Sequence, residues 1–312
     1  MFAWLALGFL AVAPLDAASA PKETGWNWRE TTSPHFLVKH EMPWAPPGFV
    51  MNLERMHSRL RMDLGMFSPW MAKERIKLYL YKDSQSYLSG EFKPPSWSNG
   101  VALYELKTVA VPYNPDRKDL IRVISHETTH VLFEGYWHEA GFNGPPSWLN
   151  EGLAMMEEND APDYPERSPW FQSMVLAKPD SFLPMKQFVA LNPSQDLHDP
   201  SIVGDFYVQS FSIVYFLYRG HQRLQFKNFC EQLRDGRPVE QALWLAYRYH
   251  DLKALEKDWR LWLNRSELRN KVSRAQADTA AQAPPSTDGG KPKDAFAPTG
   301  FTPMKGFKSL RD

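Results

Sequence analysis

The most constraining feature of this sequence is a pair of histidines four residues apart inside a predicted helix. The helix spans 117–135, and an H-E-T-T-H run from His126 to His130 lies within it. Residues four apart share one face of a helix, so both imidazole rings can reach a single metal ion. Glu127 is rotated by about 100° from His126 and can accept a proton from a water on that metal. The alternative interpretation is an ordinary helix with two surface or core histidines.

The ligands of such a metal are restricted to His and carboxylate side chains because the chain has one cysteine, Cys230. A single cysteine forms neither an intramolecular disulfide nor a multi-cysteine metal site. Catalytic zinc takes three protein ligands and leaves one position for water. A third candidate ligand, Glu151, stands 21 residues after His130 in the next predicted helix. Gly152 beside it has no side chain, which permits a close approach between two helices.

Charge excludes another class of function. The chain has 312 residues, with 36 Lys+Arg and 36 Asp+Glu, so its formal net charge is zero. A nucleic-acid-binding protein is not expected, because there is no basic excess to neutralise phosphates.

Both ends of the chain differ in composition from the rest. Residues 1–15 are apolar but fewer than the roughly 18–20 that span a bilayer, and small residues follow. The segment 1–19 is therefore predicted to be a signal peptide, which places the protein in the periplasm or outside the cell without a transmembrane segment. The alternative is an N-terminal helix packed on the domain. Residues 275–312, rich in Ala, Pro, Gly, Gln and Thr, are predicted to be a disordered tail.

Between these ends, strands precede helices. Alternating or short apolar runs predict strands at 35–39 and 75–81 and two more within 99–112. Helical spacing predicts helices at 48–66, 117–135, 147–158, 204–219, 222–234, 238–248 and 252–270. Gly135 is expected to end the first candidate ligand helix, and Ser147 to cap the second.

This order of elements favours an α+β fold rather than alternating βαβ units. The expected domain covers 25–272, with a sheet lobe at about 25–113 and a helical lobe at about 114–272. Two lobes of one catalytic domain are expected rather than two independent domains.

Two motifs together carry a family resemblance. H-E-T-T-H followed by W-L-N-E-G-L-A at 148–154 resembles the gluzincin zinc peptidases, and the ligand helix resembles that of the aminopeptidase N family. The segment 206–217 and the closing helices are similar to the peptidase MA-like family of zinc metallopeptidases. The resemblance covers roughly 75–265. It implies a thermolysin-like fold, with a small mixed sheet, a helical C-terminal lobe and the active site between them.

The resemblance also implies residue roles. His126, His130 and Glu151 would bind one zinc ion, and Glu127 would be the general base that activates a metal-bound water against a peptide bond. A tyrosine from a downstream helix supplies a second donor to the developing oxyanion in related gluzincins, and Tyr207 is the candidate. The alternative for Tyr207 is a core tyrosine in an aromatic-rich helix.

The chain departs from the aminopeptidase pattern at one loop. The stretch 99–104 lacks the glutamate that binds the substrate amine in those enzymes, so an endopeptidase acting on peptides or proteins is predicted. Met155 stands where thermolysin-like enzymes carry an aspartate that orients a zinc histidine. In this chain a residue at another position must therefore orient that histidine. The alternatives are an aminopeptidase and a non-catalytic zinc-containing binding or scaffold protein of the same fold. The oligomeric state stays open.

Overall fold

The computed structural model describes residues 28–282 except 42–47, 97, 139–140, 142–143, 197–199 and 221. The predicted signal peptide at 1–19 lies outside the described residues, as does the tail beyond Gln282. In the part of the chain that is described, no helix is both long and apolar enough to span a bilayer.

The first part of the chain forms a mixed sheet, as predicted, but the sheet has five strands where the sequence predicted four, because the polar strand at 29–32 was missed. Its strands are β1 (Arg29–Thr32), β2 (Phe36–His40), β3 (Ile76–Tyr81), β4 (Val101–Leu103) and β5 (Thr108–Pro112). Their order is β1-β2-β3-β5-β4, with β2, β3 and β5 parallel and the two edge strands antiparallel to their neighbours. Strand β5 is covered on both faces, with residues 108–111 all buried, which explains why Val109, Ala110 and Val111 form a continuous apolar run rather than an alternating pattern.

Twelve α-helices are described. They are α1 (Phe49–Leu64), α2 (Ser84–Leu88), α3 (Arg117–His138), α4 (Ser147–Glu157), α5 (Pro169–Leu176), α6 (Met185–Phe188), α7 (Pro193–Asp196), α8 (Pro200–Arg219), α9 (Arg223–Arg234), α10 (Val239–Tyr247), α11 (Leu252–Leu263) and α12 (Ser266–Gln282). The α+β class, with a small sheet first and helices after it, is confirmed. One cluster of buried side chains extends from Phe36 in the sheet to Val272 in the last helix.

The predicted end of the first candidate ligand helix and the predicted cap of the second are wrong. Helix α3 continues through Gly135 to His138, because burial of Tyr136 and Trp137 in the next turn outweighs the weak helix propensity of glycine. The second error concerns Ser147, which is the first helical residue rather than the cap. Pro146 occupies the cap position and provides no side-chain hydrogen bond.

The predicted helix 252–270 is in fact two helices. The break falls after Leu263, where the Asn264 side-chain amide donates to the Arg260 carbonyl at 2.9 Å, in addition to the Asn264 backbone N–H that donates to the same oxygen at 3.2 Å. The second of these helices, α12, runs to Gln282 and so enters the segment that composition assigns to the tail. Its last turns are rich in alanine, the best helix former.

Helices α4 and α8 approach each other closely at Gly152, as predicted. A Cβ atom there would collide with the Ser210 carbonyl oxygen and lie 2.5 Å from Cγ2 of Val214. The first of these atoms belongs to the backbone of α8, so it cannot rotate away. Glycine is therefore required for α4 to lie at this distance from α8.

Candidate metal centre and active-site cleft

Three of the predicted site residues converge at one point. His126 and His130 lie on α3 and Glu151 on α4, and one ligand atom from each lies within 4.8 Å of the others. The two Nε2 atoms are 3.1 Å apart, and the Glu151 oxygens lie 3.7 Å from Nε2 of His126 and 3.9 Å from Nε2 of His130. Adjacent turns of α3 present both rings to the first turns of α4.

The donor set fits a zinc ion. Two imidazoles and one carboxylate are a known ligand combination of catalytic zinc, with bonds of about 2.0–2.2 Å. Tetrahedral geometry with such bonds separates ligand atoms by about 3.3–3.5 Å. The three observed separations lie on either side of that value, so small side-chain adjustments would allow all three residues to bind one ion.

Glu127 lies between the metal-ligand group and the segment before β4. A Cβ at Gly100 would lie 2.7 Å from Cγ of Glu127 and 2.8 Å from its Oε1, so the backbone at residue 100 is packed directly on this carboxylate. Burial raises the pKa of Glu127, although the neighbouring His126 and His130 oppose that effect. Glu127 is therefore held in place by the sheet lobe and binds a proton more readily than an exposed glutamate.

A cavity of about 410 Å³ opens over these residues. It lies between strand β4, which is an edge of the sheet, and helices α3, α4 and α8. Its wall includes the three candidate ligands, Glu127 and Tyr207. All five predicted site residues therefore line a single cleft.

Tyr207 reaches this cleft from α8. Burial raises the pKa of its phenol above the ordinary value, and the charge of Glu151 raises it further. Tyr207 also packs on Phe206, with ring centroids 5.7 Å apart, so one face of it belongs to the core while it lines the cavity.

The carboxylate that orients a candidate ligand histidine is Glu158, which sequence reasoning missed. An oxygen of Glu158 lies 2.8 Å from Nδ1 of His126, and its other oxygen accepts from Arg122 at 2.9 Å and Trp170 at 2.8 Å. Burial would raise the pKa of Glu158, but the hydrogen bond and charge of His126 and the charge of Arg122 lower it. Glu158 is thus an anion fixed on the far side of the His126 ring.

Its effect on His126 is electrostatic. Burial opposes a positive charge on the ring, yet the Glu158 hydrogen bond and the surrounding carboxylates raise the pKa of His126 to about 9. Greater basicity also strengthens an imidazole as a metal ligand. The sequence signal that could have identified Glu158 is its spacing, since it follows Glu151 by seven positions. Two helical turns bring such residues back to about the same face.

We expect Glu158→Gln to weaken zinc binding by about 10–100-fold, because the His126 ring loses its charged partner. Competition with a chromophoric chelator measures the dissociation constant. Asp160→Asn, an exposed change two residues along the chain, is the matched control and should leave it unchanged. Equal zinc affinities for Glu158→Gln and Asp160→Asn would show that Glu158 does not orient His126.

Glu157, the preceding residue, faces a different cluster. A charged side chain at a helix end is ordinarily exposed to solvent, but Glu157 is fully buried. Arg59 lies 3.4 Å from its Oε2 and Arg219 3.9 Å from its Oε1. Burial raises the pKa of Glu157 to about 7, with Asp63 adding to the effect and Arg59 opposing it.

The end of α4 is also held through its backbone. Both Arg59 of α1, at 2.7 Å, and Ser125 of α3, at 2.6 Å, donate to the carbonyl oxygen of Glu157. These donors satisfy a carbonyl group that a helix end leaves without an internal partner.

One further carboxylate lines the cleft. Glu134 follows His130 by one helical turn, and its Oε1 accepts from the Asn150 side-chain amide at 2.7 Å. That oxygen lies 3.8 Å from Nδ1 of His130, which has no hydrogen-bond partner among the described residues. Sequence reasoning did not single out Glu134.

Comparison with known proteins gives one positive finding. No curated protein matches the chain. The family model of the peptidase MA superfamily matches residues 59–265, which is more than half of the chain. The matched region begins inside α1, ends after α11 and contains the whole cleft described above. The chain therefore belongs to the peptidase MA superfamily.

Proposed function

We propose that this protein is a zinc-dependent endopeptidase with a thermolysin-like arrangement of its two lobes. The observation that carries the proposal is the convergence of His126, His130 and Glu151 beside Glu127 in a cleft of a peptidase MA protein. His126, His130 and Glu151 would hold the ion. The apolar segment at the start of the chain supports action in the periplasm or outside the cell.

Glu127 is the proposed general base. Zinc held by the three ligands supplies Lewis acidity, which polarises a carbonyl group and makes water more acidic. The Glu127 carboxylate takes the proton of the attacking water and passes it to the leaving amine. Its raised pKa supports the first step, because a carboxylate that binds protons more strongly is a better base.

Tyr207 is the proposed second donor. Negative charge develops on the carbonyl oxygen as water attacks, and a fixed hydrogen-bond donor stabilises that charge. The raised pKa of Tyr207 keeps its phenol protonated, so the hydroxyl can donate. Its place in the cavity wall supports a contact with the substrate carbonyl.

Strand β4 is the proposed docking edge for the substrate backbone. It lies at the end of the sheet order and pairs with β5 on one side. An extended peptide can add to such an edge through main-chain hydrogen bonds, which do not require a free terminus. This feature favours internal cleavage over removal of N-terminal residues.

The test combines metal analysis with cleavage. We expect one zinc per chain, loss of hydrolysis of unfolded proteins on chelation, and recovery when zinc is restored. Peptides with a blocked N-terminus should be cleaved as well as free ones, whereas an aminopeptidase would reject the blocked set. A zinc-loaded protein that cleaves nothing in a proteome-derived peptide library would contradict the proposal and indicate a binding or scaffold protein.

A further inference from the structure

The cleft has more negative than positive side chains. One basic side chain, Arg122, and four carboxylates, of Glu127, Glu134, Glu151 and Glu158, line the cavity. Arg122 is paired with Glu158 at 2.9 Å. A divalent ion held by the candidate ligands would offset the charges of Glu127 and Glu151. The charge of Glu134 is left over, since no Lys or Arg in the described part of the chain forms an ion pair with it.

Glu134 is held in place while it faces the cavity. The Asn150 amide fixes Oε1 at 2.7 Å, and the side chain retains 27% of its exposure. Asn150 precedes Glu151, so the same turn of α4 positions the metal ligand and this carboxylate. Along α3, Glu134 lies about one turn beyond His130, about 6 Å further toward the C-terminal end of the helix.

We infer that Glu134 forms a subsite for a cationic group of the substrate next to the scissile bond. This inference rests on the proposed function and names its substrate class: peptides that carry a positive charge at the position facing the C-terminal end of α3. The cationic group is a Lys or Arg side chain, since the proposed endopeptidase needs no free N-terminus. It donates charge-assisted hydrogen bonds to the Glu134 carboxylate, which are stronger than those between neutral groups.

A competing role is positioning of His130, because Glu134 Oε1 lies 3.8 Å from Nδ1 of that ring. The two roles predict different effects of a substitution at Glu134. A positioning residue acts on zinc affinity and on every substrate alike. A subsite residue changes the ratio between charged and neutral substrates.

The experiment compares matched peptides that carry Lys or its uncharged isostere norleucine at each position around the cleaved bond. For wild type we expect kcat/KM to favour Lys by about tenfold at one position. In Glu134→Gln that ratio should fall close to one, and in Glu134→Lys it should invert. Glu105→Gln, an exposed change in the segment after β4, is the matched control and should keep the wild-type ratio. Each peptide is used with a blocked and with a free N-terminus, which distinguishes a side-chain cation from a terminal ammonium.

Zinc affinity is measured for all variants. Equal losses of Lys and norleucine cleavage together with weaker zinc binding would overturn the subsite and assign Glu134 to His130. Calorimetry with the zinc-loaded Glu127→Gln protein separates the subsite from the proposed function, because binding needs no turnover. A preference for cationic peptides in that assay, without hydrolysis by wild type, would leave the subsite standing and contradict the peptidase. An absence of preference for charge in both assays would overturn the subsite alone.

Discussion

Glu127→Gln is expected to lower kcat for peptide hydrolysis by about 10²–10⁴-fold while zinc stays bound. The glutamine amide has the shape of the carboxylate but cannot take up a proton, so the attacking water loses its base. Because the residue volume is conserved, the packing of Gly100 against this side chain is preserved. The measurement is kcat on a blocked peptide together with zinc content per chain.

The control for this variant is Glu74→Gln, which removes an exposed carboxylate paired with Lys107 in the sheet lobe. It should hydrolyse the peptide at the wild-type rate. If Glu127→Gln retained more than half of the wild-type kcat with full zinc content, Glu127 would not be the base.

Gly152→Ala is expected to destabilise the protein by about 3 kcal/mol or more, the upper range for overpacking a core. The added methyl group would collide with the Ser210 carbonyl oxygen in the backbone of α8, so α4 must move as a whole. Since Glu151 is the preceding residue, the same displacement should weaken zinc binding. Urea unfolding with and without zinc measures both effects.

Gly135→Ala provides a matched control within the other ligand helix. A Cβ at Gly135 would meet no atom within 4 Å, and the residue lies inside α3. Alanine there should therefore stabilise the protein by up to about 1 kcal/mol. If Gly152→Ala proved as stable as wild type, the close packing of α4 on α8 would not be required.

Local spacing was sufficient to predict much of the site. His126 and His130 share a helical face wherever α3 lies, so their convergence follows from the sequence alone. The position of Glu151 depended on the motif around it, because nothing in the 20 residues between His130 and Glu151 specifies how the second helix returns to the first. Strands β2 to β5 were also predictable from local sequence, since apolar runs bounded by turns define them. Strand β1 was not, because its four residues are polar and mostly exposed.

The residues that were missed depend on contacts between distant segments. Glu158 is a partner of His126 because α4 crosses α3 at a particular angle, and its sequence context is that of a surface helix end. Similarly, Glu157 meets Arg59 from nearly a hundred residues earlier in the chain. Tertiary contacts also determine the extension of α3 past Gly135. The turn beyond this glycine is stabilised by burial of aromatic side chains and not by helix propensity.

The adjacent residues Glu157 and Glu158 point into two separate networks, one with Arg59 and Arg219 and one with His126, Arg122 and Trp170. Contacts on two sides of its C-terminal end prevent helix α4 from rotating about its axis and from sliding along it. The angular setting of Glu151 is thus fixed from the C-terminal end of α4 rather than by the connection that precedes the helix. Insertions or deletions in that connection can therefore accumulate during evolution without moving Glu151.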